Sequence, residues 1–228
     1  YTDHLSNREF IDFRRPKKII DIDYLVDVVL QNKVCLDIPA MESSPSELHI
    51  GALESSRGEI EWFECRNKRW SIFETLRATA ALPIVYGREV QLGDKYYSDG
   101  GLQHNVPVHE AVDRGAKNVL VILTKPHSFR PTYPSKIDRA LCRRLARLRN
   151  HSSGVIDRLG VFDSYLFESM ELVCNGFSAE SNTRIWSIAP SENIVGRLTR
   201  DRDELLQTAD VARKDVIEQL ALRSGRNL

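Results

Sequence analysis

No stretch of this chain is apolar for long enough to cross a bilayer as a helix, so a membrane-spanning helix is not expected. Cys-x-x-Cys pairs are absent as well: Cys35, Cys65, Cys142 and Cys174 lie far apart. That spacing speaks against a disulfide framework and a structural zinc, and it points to a reducing, cytoplasmic compartment. Net charge is also missing. Lys plus Arg, at 32, equals Asp plus Glu, at 32, so no global field draws the chain to nucleic acid. The six histidines do not cluster at ligand spacing, and there is no His-Glu-x-x-His. Gly-x-Gly-x-x-Gly and the P-loop pattern are absent too, so no metal, nucleotide or other cofactor is expected. There is no internal repeat and no low-complexity tract. No secretory leader is visible, although the chain opens on Tyr1 rather than Met.

What is present reads as one domain spanning residues 1–228. Residues 1–18 are polar, a loop with a short helix at most. Leu25, Val26, Val29 and Leu30 follow helical spacing. Residues 39–47 read as a connection. Leu48 to Leu53 and Glu59 to Cys65 alternate like strands around Ser55-Ser56-Arg57-Gly58 and predict a hairpin. Ser71 and Glu74 form a capping-box signature, opening a helix that Pro83 closes. A second hairpin, Val90 to Leu92 and Lys95 to Tyr97, turns at Gly93-Asp94. Asn105-Val106-Pro107 suits a helix start with Pro107 in the first turn, and Gly115 suits its end. The run Val119 to Leu123 then predicts a strand buried on both faces, closing a βαβ unit. Beyond it, Val155, Leu159, Phe162, Leu166, Met170 and Val173 keep helical spacing, broken at Gly160. Arg184 to Ala189 predicts a last strand. Leu205, Ala209, Ala212, Val216 and Leu220 stripe a final helix. The class is α/β.

Asp99-Gly100-Gly101 leaves the second hairpin. A carboxylate at a strand end, followed by two residues without side chains, is well mounted to act as a general base. The plain alternative is an Asx-type turn. The surroundings are more specific. Ala78-Thr79-Ala80-Ala81-Leu82-Pro83, then Asp99-Gly100-Gly101, then Asn105-Val106-Pro107, with Ala111 and Gly115-Ala116 before an apolar strand, resembles the patatin-like phospholipase family. Thr79 stands where that family's pattern carries Ser. More diffusely, Tyr1-Thr2, Arg8-Glu9-Phe10, Ile20 to Val26 and Arg197 to Asp201 resemble its bacterial branch.

The resemblance implies a three-layer α/β/α patatin-like fold with a mostly parallel central sheet. It implies a lipid acyl hydrolase that cleaves carboxylic esters with a Ser–Asp dyad and no His. Asp99 would be the base, Gly100 and Gly101 the clearance for the Ser, and Asn105 with Pro107 the start of the helix that holds the loop. The nucleophile, however, is absent from this chain. Ser56, Ser98 and Ser152 have only the trailing Gly of Gly-x-Ser-x-Gly, and Ser178 only the leading one. The expectation is therefore that the Ser and the first strands of the sheet lie upstream, that the chain is the C-terminal portion of one patatin-like domain, and that it is inactive alone.

Three alternatives stand beside this reading. His104 or His109 can serve a conventional triad with Asp99, although His109 is expected on the exposed side of its helix. A catalytically silent lipid- or partner-binding protein can use the same scaffold. Arg139, Arg143, Arg144 and Arg147 interleave with Leu141, Leu145 and Leu148, which suits peripheral contact with a membrane surface or a plain solvated face. No aromatic residues interleave with these arginines, which again excludes nucleic acid.

Overall fold

The computed structural model describes residues 2–67, 69–129, 134–160, 165–192, 195–196 and 198–224. Tyr1, Phe162 and Arg197, which enter the sequence reading, lie outside the described residues. The chain divides into two compact units, one of Asn7–Asn105 with Tyr133–Asp163 and one of Tyr1–Ser6, Val106–Thr132 and Ser164–Leu228.

The first of these carries a four-stranded sheet in the order β2-β1-β4-β3. Its strands are β1 (His49–Glu54), β2 (Glu59–Glu64), β3 (Val90–Leu92) and β4 (Lys95–Ser98). Every pairing is antiparallel. A mostly parallel sheet is thus not what this unit holds. The reason is local, because both of its turns are short and a short turn joins only antiparallel neighbours. Glycine sets both turns, with φ of 71° at Gly58 and 65° at Gly93.

Helix α1 (Thr2–Leu5) belongs to the second unit; in the first, Tyr24–Lys33 forms a π-wound helix that buries Val26 and Val29. A short helix, α2 (Ile38–Ser43), capped by Asp37, occupies part of the segment read as a plain connection. Helix α3 (Ile72–Thr79) has the predicted capping box: Ser71 accepts from the Glu74 N–H, and the Glu74 carboxylate accepts from the Ser71 N–H. Val26, Val29, Ala52, Leu53, Ala78, Leu92 and Val155 lie in the core of this unit. Helices α5 (Lys136–Leu148) and α6 (Ser153–Gly160) complete it.

The corner between α5 and α6 is held by a buried polar cluster. Asn150 takes the left-handed region at φ 57°, which Asn tolerates. Arg149 donates to the carbonyls of Pro83, Ile84 and Pro16. Glu89 accepts from the Ser152 N–H at 2.6 Å and hydroxyl at 2.7 Å, and its Oε1 lies 3.3 Å from His151 Nδ1. His151 Nε2 faces the Pro83 carbonyl at 3.0 Å; a carbonyl only accepts, so this nitrogen carries a proton. Burial alone would raise the Glu89 pKa, but His151 and Ser152 outweigh it and hold the carboxyl below its ordinary 4.5. A carboxyl lowered by folding stabilises above its unfolded value and loses that contribution as pH falls through the folded one. Glu89→Gln is therefore expected to cost about 2 kcal/mol near neutral pH. Urea unfolding of both proteins should show this difference shrinking below about pH 4.5.

The second unit holds β5 (Asn118–Ile122), β6 (Phe177–Ser178) and β7 (Thr183–Ile188) in the order β5-β7-β6. Here β5 and β7 are parallel, in register Val119↔Ile185 and Val121↔Ser187. Helices α4 (Val108–Asp113) and α7 (Tyr165–Asn175) supply Val108 and Val173 to a core with Val119, Val121, Leu123 and Ile185. The strand expected to be buried on both faces is buried on one: Leu120 is 51% and Ile122 72% exposed. Nor does a βαβ unit form, since β4 and β5 belong to different sheets. Helix α8 (Arg202–Ser224) is clipped to the end of β7 by Gln219, whose amide exchanges hydrogen bonds with Ala189. Leu205, Ala212 and Val216 are half-buried on α8, whereas Ala209 and Leu220 of the predicted stripe are exposed.

Candidate active site

Asp99 directly follows β4 and caps a tight 3-10 turn, Gly100–Leu102. Two bonds from the strand pin it: the Ser98 hydroxyl and the Asp99 N–H both donate to the Ala81 carbonyl, at 2.9 and 3.1 Å. Ala81 and Ala78 are fully buried. The small residues at the end of α3 and just beyond it thus have a mechanical role, since a bulkier side chain there would hold the loop away. The carboxylate is half-buried, and its Oδ1 accepts from the Gly101 N–H at 2.6 Å. This is an Asx-type turn, so the plain turn and the mounted carboxylate are one object.

The glycines around it serve different neighbours. A Cβ on Gly100 would lie 2.3 Å from the Gly51 carbonyl oxygen of β1. That same oxygen accepts the Thr79 hydroxyl at 2.5 Å. A Cβ on Gly51 would in turn lie 2.8 Å from the Trp62 ring of β2. The loop, α3 and β1 therefore close on one carbonyl, which only glycine at Gly51 and Gly100 allows. Gly51 is a site residue the sequence reading missed; an isolated Gly inside a strand is the signal that marks such close approach. Gly101 faces the carboxylate instead: a Cβ there would lie 3.0 Å from Asp99 Oδ1 and 3.6 Å from Asn105 Oδ1.

Asp99, Gly100, Gly101 and Asn105 are thus brought together in the first unit, with Asn105 exposed. Pro107 sits at the cap position of α4 rather than inside its first turn, in the second unit. His104 donates its N–H to the Gly100 carbonyl at 2.9 Å, and its ring lies 6.0 Å from that of Trp62. His109 is half-buried with its ring 5.3 Å from Tyr165, not on an exposed helix face as expected.

Two further Ser–His groupings have other geometries. Ser152 and His151 both bond Glu89 and not each other, so they form no relay. His127 Nε2 meets the Ser187 hydroxyl at 2.8 Å, but Ser187 is only 6% exposed and closed to a substrate. Among the described residues no group of three His, Cys, Asp or Glu could hold a metal ion. No helix among them is long and apolar enough to cross a membrane.

The four arginines of α5 divide. Arg139 and Arg143 are half-buried, with Arg143 3.4 Å from Asp157 of α6. Arg144 and Arg147 are exposed.

Residues 65–112 match the patatin-like phospholipase family. The matched patatin-like segment contains α3, the second hairpin, Asp99 with its glycines, and most of α4. The chain is also 30% identical over 145 residues to a protein of Escherichia coli (strain K12) described as the uncharacterized protein YjjU. That alignment covers 60% of this chain and 40% of the relative, so the match spans about two fifths of that protein's length. No solved structure matches it. The match to the patatin-like phospholipase family points to lipid hydrolysis at the level of the family.

Proposed function

We propose that these residues carry the base of a patatin-like lipid acyl hydrolase and form part of a single patatin-like domain. Asp99 takes the proton of a serine nucleophile, which attacks the carboxylic ester of a phospholipid or related lipid. The ester C–O bond breaks, the alcohol leaves with the proton returned from Asp99, and water then hydrolyses the acyl-Ser intermediate to the free acid. The observation that carries this reading is the mounting of Asp99. Asp99 is half-buried just past a strand end, in a turn pinned to Ala81 and fitted onto β1, within the matched segment. A side chain at Gly101 would crowd the carboxylate, and Asn105 with Pro107 leads from the loop into α4. The substrate lies in a lipid surface, and the exposed Arg144 and Arg147 support peripheral contact with one.

No Gly-x-Ser-x-Gly occurs among the 228 residues, so the chain on its own is expected to show no turnover of p-nitrophenyl esters or liposomal phospholipid above the buffer rate. Robust turnover by these residues alone would overturn the assignment of an external serine. In a form of the protein that includes such a motif and hydrolyses esters, Asp99→Asn should remove activity and His104→Gln should not. If that form turns over no ester at all, the catalytically silent lipid- or partner-binding reading replaces the hydrolase.

A further inference from the structure

The proposed dyad makes no use of α5, yet the exposed face of this helix is unusual. Ile137, Leu141 and Leu148 are 79%, 54% and 71% exposed. At about 100° per residue they fall within about 40° of arc, a narrow stripe along the helix. Lys136, Ala140, Arg144 and Arg147, all exposed, border that stripe on one side. A shallow groove runs between the two, lined by Lys136, Ile137, Ala140, Leu141 and Arg144. The opposite face is spent on packing: Ala146 is fully buried and Arg143 reaches Asp157 of α6.

On the side of the stripe that Lys136, Arg144 and Arg147 occupy, the exposed charge of this helix is all positive. Asp138, its only carboxylate, is exposed on the other side of the stripe and is engaged by the Ser135 N–H and hydroxyl in the capping box. The helix is also fixed at both ends, by that box and by Arg149 on three backbone carbonyls. A solvated face would place polar groups where Ile137, Leu141 and Leu148 stand. A stripe of large aliphatic residues bordered by cations matches a helix lying in the interface of an anionic bilayer, with the apolar side chains below the headgroups and the basic ones among them.

We propose that α5 is an interfacial docking helix for anionic lipid, with Ile137, Leu141 and Leu148 inserting and Lys136, Arg144 and Arg147 binding headgroup phosphates. Its purpose, delivery of the site to a lipid surface, rests on the proposed hydrolase function, but docking is measured without turnover. The 228-residue chain is sedimented with vesicles of equal phosphatidylglycerol and phosphatidylcholine, and with vesicles of phosphatidylcholine alone, at about 0.1 M salt. Binding to the first and not the second is expected. Arg144→Gln with Arg147→Gln should weaken it about 25-fold, and Ile137→Ser or Leu148→Ser about tenfold each. All four residues are exposed, so circular dichroism of the variants should match the parent. Equal binding to both vesicle types, or binding that the variants leave unchanged, overturns the proposal. So does a dimer in light scattering that Leu148→Ser dissociates while vesicles go unbound, because the stripe then belongs to a second copy. An ester-inactive protein that still binds loses the hydrolase and keeps the docking helix; an active one that does not bind loses the helix and keeps the hydrolase.

Discussion

Asp99→Asn is expected to lower ester turnover by about 1,000-fold in a form of the protein that carries the serine, the range in which removal of a positioned general base falls. The substitution isolates chemistry from structure. An Asn side chain retains the Oδ1 that accepts the Gly101 N–H, and the backbone bond from Asp99 to Ala81 is untouched. The loop therefore keeps its shape, and melting should move by no more than about 2 °C. What disappears is the capacity to take a proton, since an amide oxygen is far too weak a base. The loss should appear in kcat and in kcat/KM alike, because the proton moves only in the transition state. His104→Gln is the control. Its N–H to Gly100 is a backbone bond that the change preserves, and its ring packs beside Trp62, so turnover should stay within about threefold. A loss in His104→Gln equal to that in Asp99→Asn would replace the dyad with a triad.

Much of this architecture is legible from local chemistry. Ser71 and Glu74 cap a helix by bonds within three residues, and Gly58 and Gly93 set hairpins by their own φ. Such features need nothing distant, and the chain states them directly. Sheet membership is different. Lys95 to Ser98 and Asn118 to Ile122 are consecutive strands around a helix, the pattern of a parallel crossover, yet they enter separate sheets. Partner choice is decided by segments far away in sequence, β1 for one strand and β7 for the other. Burial shows the same limit, since Leu120 and Ile122 are as apolar as any core residue and are nonetheless exposed. Of the site, the carboxylate and its glycines were readable, because type and spacing carry that signal. The Gly51 carbonyl that gathers Thr79 and Gly100 was not, because the contact joins three segments and involves a backbone atom. The division of the α5 arginines was equally hidden, since only the packing on α6 separates Arg143 from Arg144.

The two glycines after Asp99 should separate when each is changed to Ala, because they clear different things. Gly100→Ala would place a methyl group 2.3 Å from the Gly51 oxygen, and both partners are backbone, so neither can turn away. Either β1 or the loop must move by about an ångström, and the Thr79 hydrogen bond to that oxygen is lost with it. Overpacking and the lost bond together cost about 3 kcal/mol, or about 10 °C of melting temperature in a chain of this size. Gly101→Ala meets the Asp99 carboxylate at 3.0 Å instead, and a side chain can yield by a few tenths of an ångström. Stability should fall by about 1 kcal/mol or less. Turnover is where Gly101→Ala is felt, by about tenfold or more, because the displaced group is the base itself. Thermal melts and ester assays on the pair read the two effects independently. Equal melting temperatures would show that the fit of Gly100 onto β1 is not what holds the loop.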